Sequence, residues 1–369
     1  MVDLKRAHRR LQDPIEQALI KVARSAQFIL GSTVESFETE FAQYLDPTGE
    51  VIGCNSGTDA LLLTLLAMDF PPRSEVIVPD FTFVATVETI IRAGLTPVFA
   101  DVDPDTYCLD PNSVKALIGP RTVAIIPVHL FGVSAPMEPL LQIARERRLK
   151  IIEDTAQATG AQYRFANGSI HKVGTIGDAG CFSFFPSKNL GGYGDGGAVF
   201  TRDPALGQRI RSLRNHGQRK RYYYDHIGIN SRLDALQAAV LSVKLSYLDT
   251  FNRERQAVAH QYHSHMQSLG PLQLPVIPSY STHVFHQYTL RVPASDRDSL
   301  ISYLRGQGIS AQVYYPMRIS EHQPYQHYAT TETPISKKLT SEVISLPIFP
   351  ELKDHEIEYI TSRVARYFT

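Results

Sequence analysis

Four short, nearly continuous apolar runs recur between residues 75 and 155: EVIVPD (75–80), TPVFADV (96–102), TVAIIPVHL (122–130) and KIIEDT (150–155). They are rich in β-branched residues. They lack the apolar–polar alternation of a strand with one wet face, so each reads as a short strand covered on both faces. Before and between them lie segments with helical spacing: TDALLLTLLAM (58–68), FVATVETIIRAG (83–94) and MEPLLQIARERR (137–148). The last has apolar residues at 140, 141, 143 and 144 and ends on a basic turn, which suits the helix dipole. This alternation predicts an α/β fold with a mainly parallel sheet and helices on both faces. Sheets of that kind bind ligands beyond the carboxyl ends of their strands.

The pattern changes further on. Residues 231–269 read as a long, kinked helix leaving the sheet region, and the Pro-rich GPLQLPVIPS (270–279) follows. HVFHQYTLRV (283–292) and SAQVYY (310–315) then read as strands, and RDSLISYLRGQG (297–308) and KDHEIEYITSRVARYF (353–368) as helices. The chain of 369 residues is therefore expected to divide into a large domain, 1–250, with an N-terminal helical arm, and a smaller C-terminal α+β domain, 251–369.

Composition narrows the function. Hydrophobic residues make up 43% and charged residues 20%, as in a soluble globular protein, and the formal net charge is zero. A nucleic-acid or anionic-membrane partner calls for a basic excess, so neither is expected. The short basic runs RERR (145–148) and RKR (219–221) read as solvated faces. Cys54, Cys108 and Cys181 are far apart and match no zinc spacing, the usage of a reducing compartment. The first 28 residues are amphipathic, without an apolar core and cleavage site. No stretch approaches the roughly 20 apolar residues that span a bilayer. A cytoplasmic protein is expected.

Several motif matches fail on context. GYGDGG (192–197) spells G-x-G-x-x-G, but the strand-like AVFT follows it where a dinucleotide site needs a helix. The same run lacks the G-K-[ST] ending of a P-loop. DVDPDT (101–106) begins like a calcium loop, yet Thr106 and Asn112 stand where glycine and glutamate are required. His260, His263 and His265 lie on a polar helix and read as solvated, so no metal is expected.

Four features share one chemical logic. GCNSGTDAL (53–61) is a small-residue loop entering a helix; its N–H groups, at Gly57 and beyond, can hold a phosphate, or the loop is a plain N-cap. Asp154 follows an apolar strand and can keep a pyridine nitrogen protonated, with Gln157 in reach of the same ligand, or it caps a helix. Lys188, in FSFFPSKNLGGYGDGGAVF (182–200), sits between aromatics and glycines. That setting suits a Schiff-base lysine, since desolvation tunes an amine and glycines let backbone approach a flat ring. The alternative is a surface lysine. Phe83 can stack on a ring or belong to the core. Phosphate anchor, ring-nitrogen carboxylate, stacking aromatic and Schiff-base lysine together are the equipment for pyridoxal phosphate (PLP).

The stretches GTDAL (57–61), VPDFTFVAT (78–86), TPVFADVDPDTYCLDP (96–111), EDTAQATGA (153–161), SFFPSKNLGGYGDGGAV (183–199), NHGQ (215–218), GINSRLDALQAAVL (228–241) and ISLPIFPEL (344–352) carry a resemblance across nearly the whole chain. The sequence resembles the DegT/DnrJ/EryC1 family of PLP-dependent sugar aminotransferases, of the aspartate aminotransferase fold (fold type I). The resemblance implies that fold's mainly parallel mixed sheet flanked by helices.

It also implies residue roles. Lys188 is the internal-aldimine lysine and proton shuttle, and Asp154 the partner of the pyridine nitrogen. Gln157 lies by the PLP hydroxyl, Phe83 stacks on the ring, and Thr58, Asp59 and Ser183 bind the phosphate. Asn230 of a second subunit completes that site, in a homodimer with active sites at its interface. The implied reaction is ping-pong transfer of an amino group, through PLP and PMP, from glutamate to a keto group of a nucleotide-linked sugar, with the 3-keto position favoured by Gln157 and GINSRLDALQAA. A keto-cyclitol acceptor and a PLP-bound regulator without turnover are the alternatives. Arg219, Lys220 and Arg221, in HGQRKRYYY (216–224), are candidates for the nucleotide diphosphate. Tyr315 falls in YYPMRISEHQPY (314–325), near the sugar site of relatives. There Arg318 replaces a usual proline and Ser320 a histidine, which puts the substrate, not the cofactor, in question.

Overall fold

The computed structural model describes residues 1–368. Its strands are β1 (Glu50–Cys54), β2 (Glu75–Pro79), β3 (Thr96–Ala100), β4 (Thr122–Ile125), β5 (Lys150–Asp154), β6 (Gln162–Arg164), β7 (Ile170–Lys172), β8 (Ala179–Ser183), β9 (Gly197–Thr201), β10 (Gln218–Lys220), β11 (Tyr223–Tyr224), β12 (Tyr288–Arg291) and β13 (Val343–Leu346). The α-helices are α1 (Leu4–Arg10), α2 (Gln12–Ser25), α3 (Ser32–Leu45), α4 (Gly57–Met68), α5 (Ala85–Arg92), α6 (Pro111–Leu117), α7 (Met137–Arg147), α8 (Pro204–Leu213), α9 (Ala235–Leu245), α10 (Leu248–Met266), α11 (Ala294–Gly306), α12 (Pro334–Glu342) and α13 (Asp354–Phe368).

A seven-stranded sheet in the order β1-β9-β8-β5-β4-β2-β3 organises the chain. The β3–β2–β4–β5–β8 pairings are parallel, and β9 runs antiparallel to both β8 and β1. Only β9 is reversed, so the carboxyl ends of the other six strands share one edge. The apolar runs are continuous because successive residues serve opposite faces. Ile77, Ile125 and Ile151 join one buried cluster with α6 and α7, while Val76, Val78, Ala124 and Ile152 join another with α4, α5 and α8. A third cluster packs α3 and α9 on β1, β8 and β9. In it Phe182 and Phe184 meet Phe41 at ring separations of 5.1 and 5.6 Å.

The long helix expected over 231–269 is two helices, α9 and α10, broken at Ser246 and Tyr247. β12 and β13 pair antiparallel, and α10, α11 and α13 bury a separate core with them. SAQVYY is not a strand. It makes one isolated bridge, Gln312 to Ser345, before the chain turns away.

Two buried carboxylates fasten the C-terminal segment to the carboxyl edge of the sheet. Asp80, just beyond β2, accepts from Ser320 N–H (2.8 Å), Ser320 Oγ (2.7 Å) and Thr333 Oγ1 (2.6 Å). Asp101, just beyond β3, accepts from Ile335 N–H (2.8 Å), Ser336 N–H (2.7 Å) and Ser336 Oγ (2.7 Å). Removing a charged acceptor strands those donors. Asp101→Ala should therefore lower unfolding stability by at least about 2 kcal/mol in a denaturant titration, and a change within about 0.5 kcal/mol would refute the fastening role.

Candidate active site

Seven of the residues singled out in the sequence, Gly57, Thr58, Asp59, Asp154, Gln157, Ser183 and Lys188, stand at or just beyond the ends of β1, β5 and β8. The N-cap of α4 is Ser56, in extended conformation, and its Oγ accepts from Asp59 N–H at 3.0 Å. The preceding N–H groups, of Gly57 and Thr58, have no partner among the described residues. Two free donors on a 12-residue helix, aligned with the helix dipole, can hold an anion. The packing here requires glycine. A Cβ on Gly57 would lie 2.6 Å from Ser183 Cβ, and one on Gly197 would lie 2.3 Å from the Ser56 carbonyl. The start of α4 is thereby pressed against the ends of β8 and β9, which brings Ser183 alongside the free donors. Asp59 itself points elsewhere: its carboxylate accepts from Ser231 Oγ at 2.7 Å, and its N–H is taken by Ser56.

Asp154 ends β5 and is 6% exposed. Its oxygens accept from Thr86 Oγ1 (2.8 Å) and from Ala156 N–H (3.1 Å). Burial pushes its carboxyl pKa up, and Thr86, Ala156, Lys188 and His129 offset this only in part. The helix-cap alternative falls away, because turns and not a helix follow β5. Gln157 is fixed at both ends: Oε1 accepts from Phe131 N–H (2.8 Å) and Nε2 donates to Tyr315 Oη (3.1 Å).

Lys188 is half-buried, and its Nζ makes no hydrogen bond or ion pair among the described residues. Burial pulls the amine down to about 8, opposed by the charge of Asp154. The surface alternative is thus excluded. Phe83 is 53% exposed, so it is no core residue; its ring lies 6.2 Å from that of Tyr315.

A cavity of about 510 Å³ joins these groups, and Gly57, Thr58, Phe83, Asp154, Gln157, Ser183, Lys188 and Tyr315 all line it. Residues not singled out in the sequence also line it, among them Phe185, Asp195, His286, Gln287 and Tyr314. Thr86, which holds Asp154, was also missed; its place in VPDFTFVAT, one helical turn from Phe83, was the available signal. The surroundings of Lys188 differ from expectation. Phe182 and Phe184 turn into the core beneath the sheet, and Phe185 alone of the three faces the cavity. Most of the glycines serve packing within the protein: Gly191 lies against the Pro186 carbonyl and Gly197 against Ser56.

The remaining candidates lie outside this cavity. Arg219 pairs with Asp225 at 2.8 Å, while Lys220 and Arg221 lie over the rings of Tyr223 and Tyr222. They belong to the exposed β10–β11 hairpin, and Asn230 is exposed nearby, bridged to Asn215. Arg318, at the departure from the family pattern, is also outside the lining. It bonds Thr333 and Glu321, with Nε 4.0 Å from Asp80.

The residues fit PLP on their own chemistry: unpartnered amide donors for a dianion, an under-bonded buried carboxylate for a pyridinium, an exposed aromatic face and an unpaired amine. Among the described residues no His, Cys, Asp and Glu group could hold a metal ion, and no helix is long and apolar enough to cross a membrane.

Comparison with known proteins points the same way. The family model described as the DegT/DnrJ/EryC1/StrS aminotransferase family matches residues 10–365. A UDP-N-acetyl-3-dehydro-alpha-D-glucosamine 3-aminotransferase of Acidithiobacillus ferrooxidans is 44% identical, over 99% of this chain and 97% of its own. A pleiotropic regulatory protein of Geobacillus stearothermophilus is 42% identical over 100% and 98%. The crystal structure of S. venezuelae DesV in complex with a ketimine intermediate superposes with a TM-score of 0.94 at 39% identity, covering 99% of this chain and 97% of that one.

The lowered Lys188 pKa gives a test on the apoprotein. An unfolded chain keeps the ordinary value of 10.5, so between about 8 and 10.5 the unfolded state binds more protons. The destabilisation from housing this amine is full below pH 8 and disappears as pH rises to 10.5. Lys188→Met apoprotein should resist urea better than wild type at pH 7, with the advantage gone near pH 10.5. A difference that does not vary with pH would contradict the desolvated amine.

Proposed function

The chain belongs to the DegT/DnrJ/EryC1/StrS aminotransferase family, a PLP-dependent group, and from that premise we propose that it moves an amino group from glutamate to the 3-keto group of a nucleotide-linked sugar. The observation that carries this reading is the unpaired Lys188 amine sharing one cavity with the carboxylate of Asp154, which keeps bonding capacity to spare.

Bound PLP supplies an electron sink that makes an α-proton labile. The rest is the work of this chain's residues. Gly57 and Thr58 N–H groups and Ser183 Oγ bind the phosphate, helped by the α4 dipole. Asp154 holds a proton on the pyridine nitrogen, because a buried carboxylate raised in pKa is stabilised by an adjacent cation. Thr86 and Ala156 aim that carboxylate. Phe83 would cover a face of the ring, and Gln157, locked by Phe131 and Tyr315, would be held near the ring hydroxyl. Lys188 Nζ, with a pKa of about 8, has a useful free-base fraction at neutral pH. It would be the group that holds the cofactor through its carbonyl and that takes up and returns the proton at Nζ.

The reading extends to assembly. The β10–β11 hairpin and its flank expose Tyr222, Tyr223, Tyr224 and Ile227, the last 98% exposed, which suits an interface. A homodimer would bring Asn230 to the partner's phosphate site, and Arg219, Lys220 and Arg221 to its nucleotide diphosphate. Residues 251–369 act as the small domain. The three buried, unpaired cysteines suit the cytoplasm.

An absorption spectrum tests the reaction. Wild type should carry a visible band that glutamate bleaches and a keto-sugar nucleotide restores. Lys188→Ala should lose the band of the lysine-linked cofactor and at least about 1000-fold in turnover. Full turnover by a colourless variant would end this reading. Neutralising Arg219, Lys220 and Arg221 together should raise KM for the sugar nucleotide at least about tenfold, while KM for glutamate stays within twofold.

A further inference from the structure

The phosphate and the carbonyl carbon of PLP are a fixed distance apart. A chain that anchors the phosphate at the start of α4 must therefore hold the Lys188 amine at a matching spacing. The two places belong to separate loops, one after β1 and one between β8 and β9. Residues 231–245, made of α9 and the turn that leads into it, bond to both loops.

At one end Ser231 is fully buried. Its Oγ accepts from Asn55 N–H (3.2 Å) and donates to Asp59 Oδ2 (2.7 Å), so it grips the chain on either side of the free N–H groups of Gly57 and Thr58. At the other end Gln237 Oε1 accepts from Tyr193 N–H (2.7 Å). Lys244 Nζ donates to the Gly191 carbonyl (2.6 Å) and lies 4.6 Å from the centre of the Tyr193 ring. The Gln237 amide also fills the space beside two glycines. A Cβ on Gly192 would lie 2.8 Å from its Oε1, and one on Gly194 2.9 Å from its Nε2.

These grips reach Lys188 because the intervening loop is closed on itself. Lys188 N–H donates to the Phe185 carbonyl (2.8 Å) and Gly192 N–H to the Phe184 carbonyl (2.7 Å). Gly191 is pressed on the Pro186 carbonyl, where a Cβ would lie 2.4 Å away. A turn tied in this way moves as a unit. The mount is firm as well: Ala235, Ala238, Ala239, Leu241 and Leu245 of α9 are buried in the cluster shared with α3. Gln237 and Lys244 stand outside the lining of the active-site cavity, so they act on Lys188 through the backbone of its loop.

We infer that Gln237 and Lys244 are positioning residues, which set the reach of Lys188 Nζ from the phosphate cradle by holding the lysine loop at Tyr193 N–H and at the Gly191 carbonyl. This rests on the site being one for PLP. Small misplacements of a reacting group cost large factors in rate, so the two hydrogen bonds matter more to the chemistry than to the fold.

Two ligands added to the apoprotein separate the cradle from the amine. Pyridoxine phosphate has the phosphate and the ring but no carbonyl, so its affinity, measured by calorimetry, reports the cradle alone. PLP has the carbonyl as well, and its visible band reports the link to Lys188, formed as Nζ replaces the carbonyl oxygen and water leaves. Gln237→Met and Lys244→Met should each bind pyridoxine phosphate within about threefold of wild type, yet form the band with PLP at least about tenfold more slowly. Gln237→Glu and Lys244→Arg keep an acceptor and a donor, and should form it within about threefold of the wild-type rate. In the loaded methionine variants, bleaching by glutamate and restoration by a keto-sugar nucleotide should slow by similar factors, since Lys188 serves both. The inference is overturned if the methionine variants form the band at the wild-type rate. It is also overturned if they lose affinity for pyridoxine phosphate as much as they slow with PLP, as a general loosening of the fold would give. A wild type that binds neither ligand overturns the PLP reading together with this one. A wild type that binds both but is not bleached by glutamate overturns the aminotransferase reading alone.

Discussion

The arrangement everything else serves is a carboxylate and an amine held in one cavity without being bonded to each other. Burial disfavours both charges: it raises the pKa of Asp154 and lowers that of Lys188 to about 8. Left to itself, such a pair would close into an ion pair or admit water. The fold prevents closure through elements remote in sequence. Asp154 is fixed by Thr86 of α5 and by its own turn, while the lysine loop is fixed through Asn189, which bonds Asn252 of α10 (2.7 Å) and Val284. The gap between them is therefore a property of the whole sheet edge.

The neighbouring carboxylate shows how selective that treatment is. Glu153 precedes Asp154 on β5 and is fully buried, but it accepts four hydrogen bonds: from His129 Nε2 (2.9 Å), Gly174 N–H (2.8 Å), Ile176 N–H (2.6 Å) and Gly177 N–H (2.7 Å). His129 is itself held from both sides, Nδ1 accepting from Ala135 N–H (3.0 Å) while Nε2 bonds Glu153. Glu153 has no bonding capacity left for a ligand; Asp154, one residue on and facing the other way, keeps some. One ties together the loops after β4 and before β8, and the other stays open to the cavity.

This explains what was legible in the sequence. The large sheet was readable because its strands are buried on both faces and leave unbroken apolar runs. The anion loop, Asp154 and Lys188 were readable because each sits at the end of such a run. Local pattern could not tell Glu153 from Asp154, since their difference lies in donors from residues 129 and 174–177. The glycines after Lys188 were misread for a related reason. Their demand comes from Ser56 and Pro186, a contact set by the pairing of β8 with β9. SAQVYY has strand-forming residues, but β13 is already paired with β12 on one side, and only Gln312 reaches its other side before Tyr314 and Tyr315 are drawn to the cavity. His286 and Gln287 looked like ordinary strand residues because the cavity they line is assembled from segments distant in sequence.

The departure from the family pattern at Arg318 takes on a different meaning in this frame. Arg318 is not part of the cavity wall; it stands behind it, between Asp80, Thr333 and Glu321. Asp80 gathers Ser320 and Thr333 at the end of β2, and Ile319 N–H bonds the Asp80 carbonyl at 3.0 Å. The segment that leads from Tyr314 and Tyr315 is thus bolted to the sheet four or five residues later. A proline in place of Arg318 would forgo its bonds to Thr333 and Glu321 but would leave the Asp80 contacts with Ser320 and Thr333 in place. The unusual residue bears on how firmly the wall is mounted. The wall itself is lined by Tyr314 and Tyr315 from this segment and by His286 and Gln287 from the segment before β12.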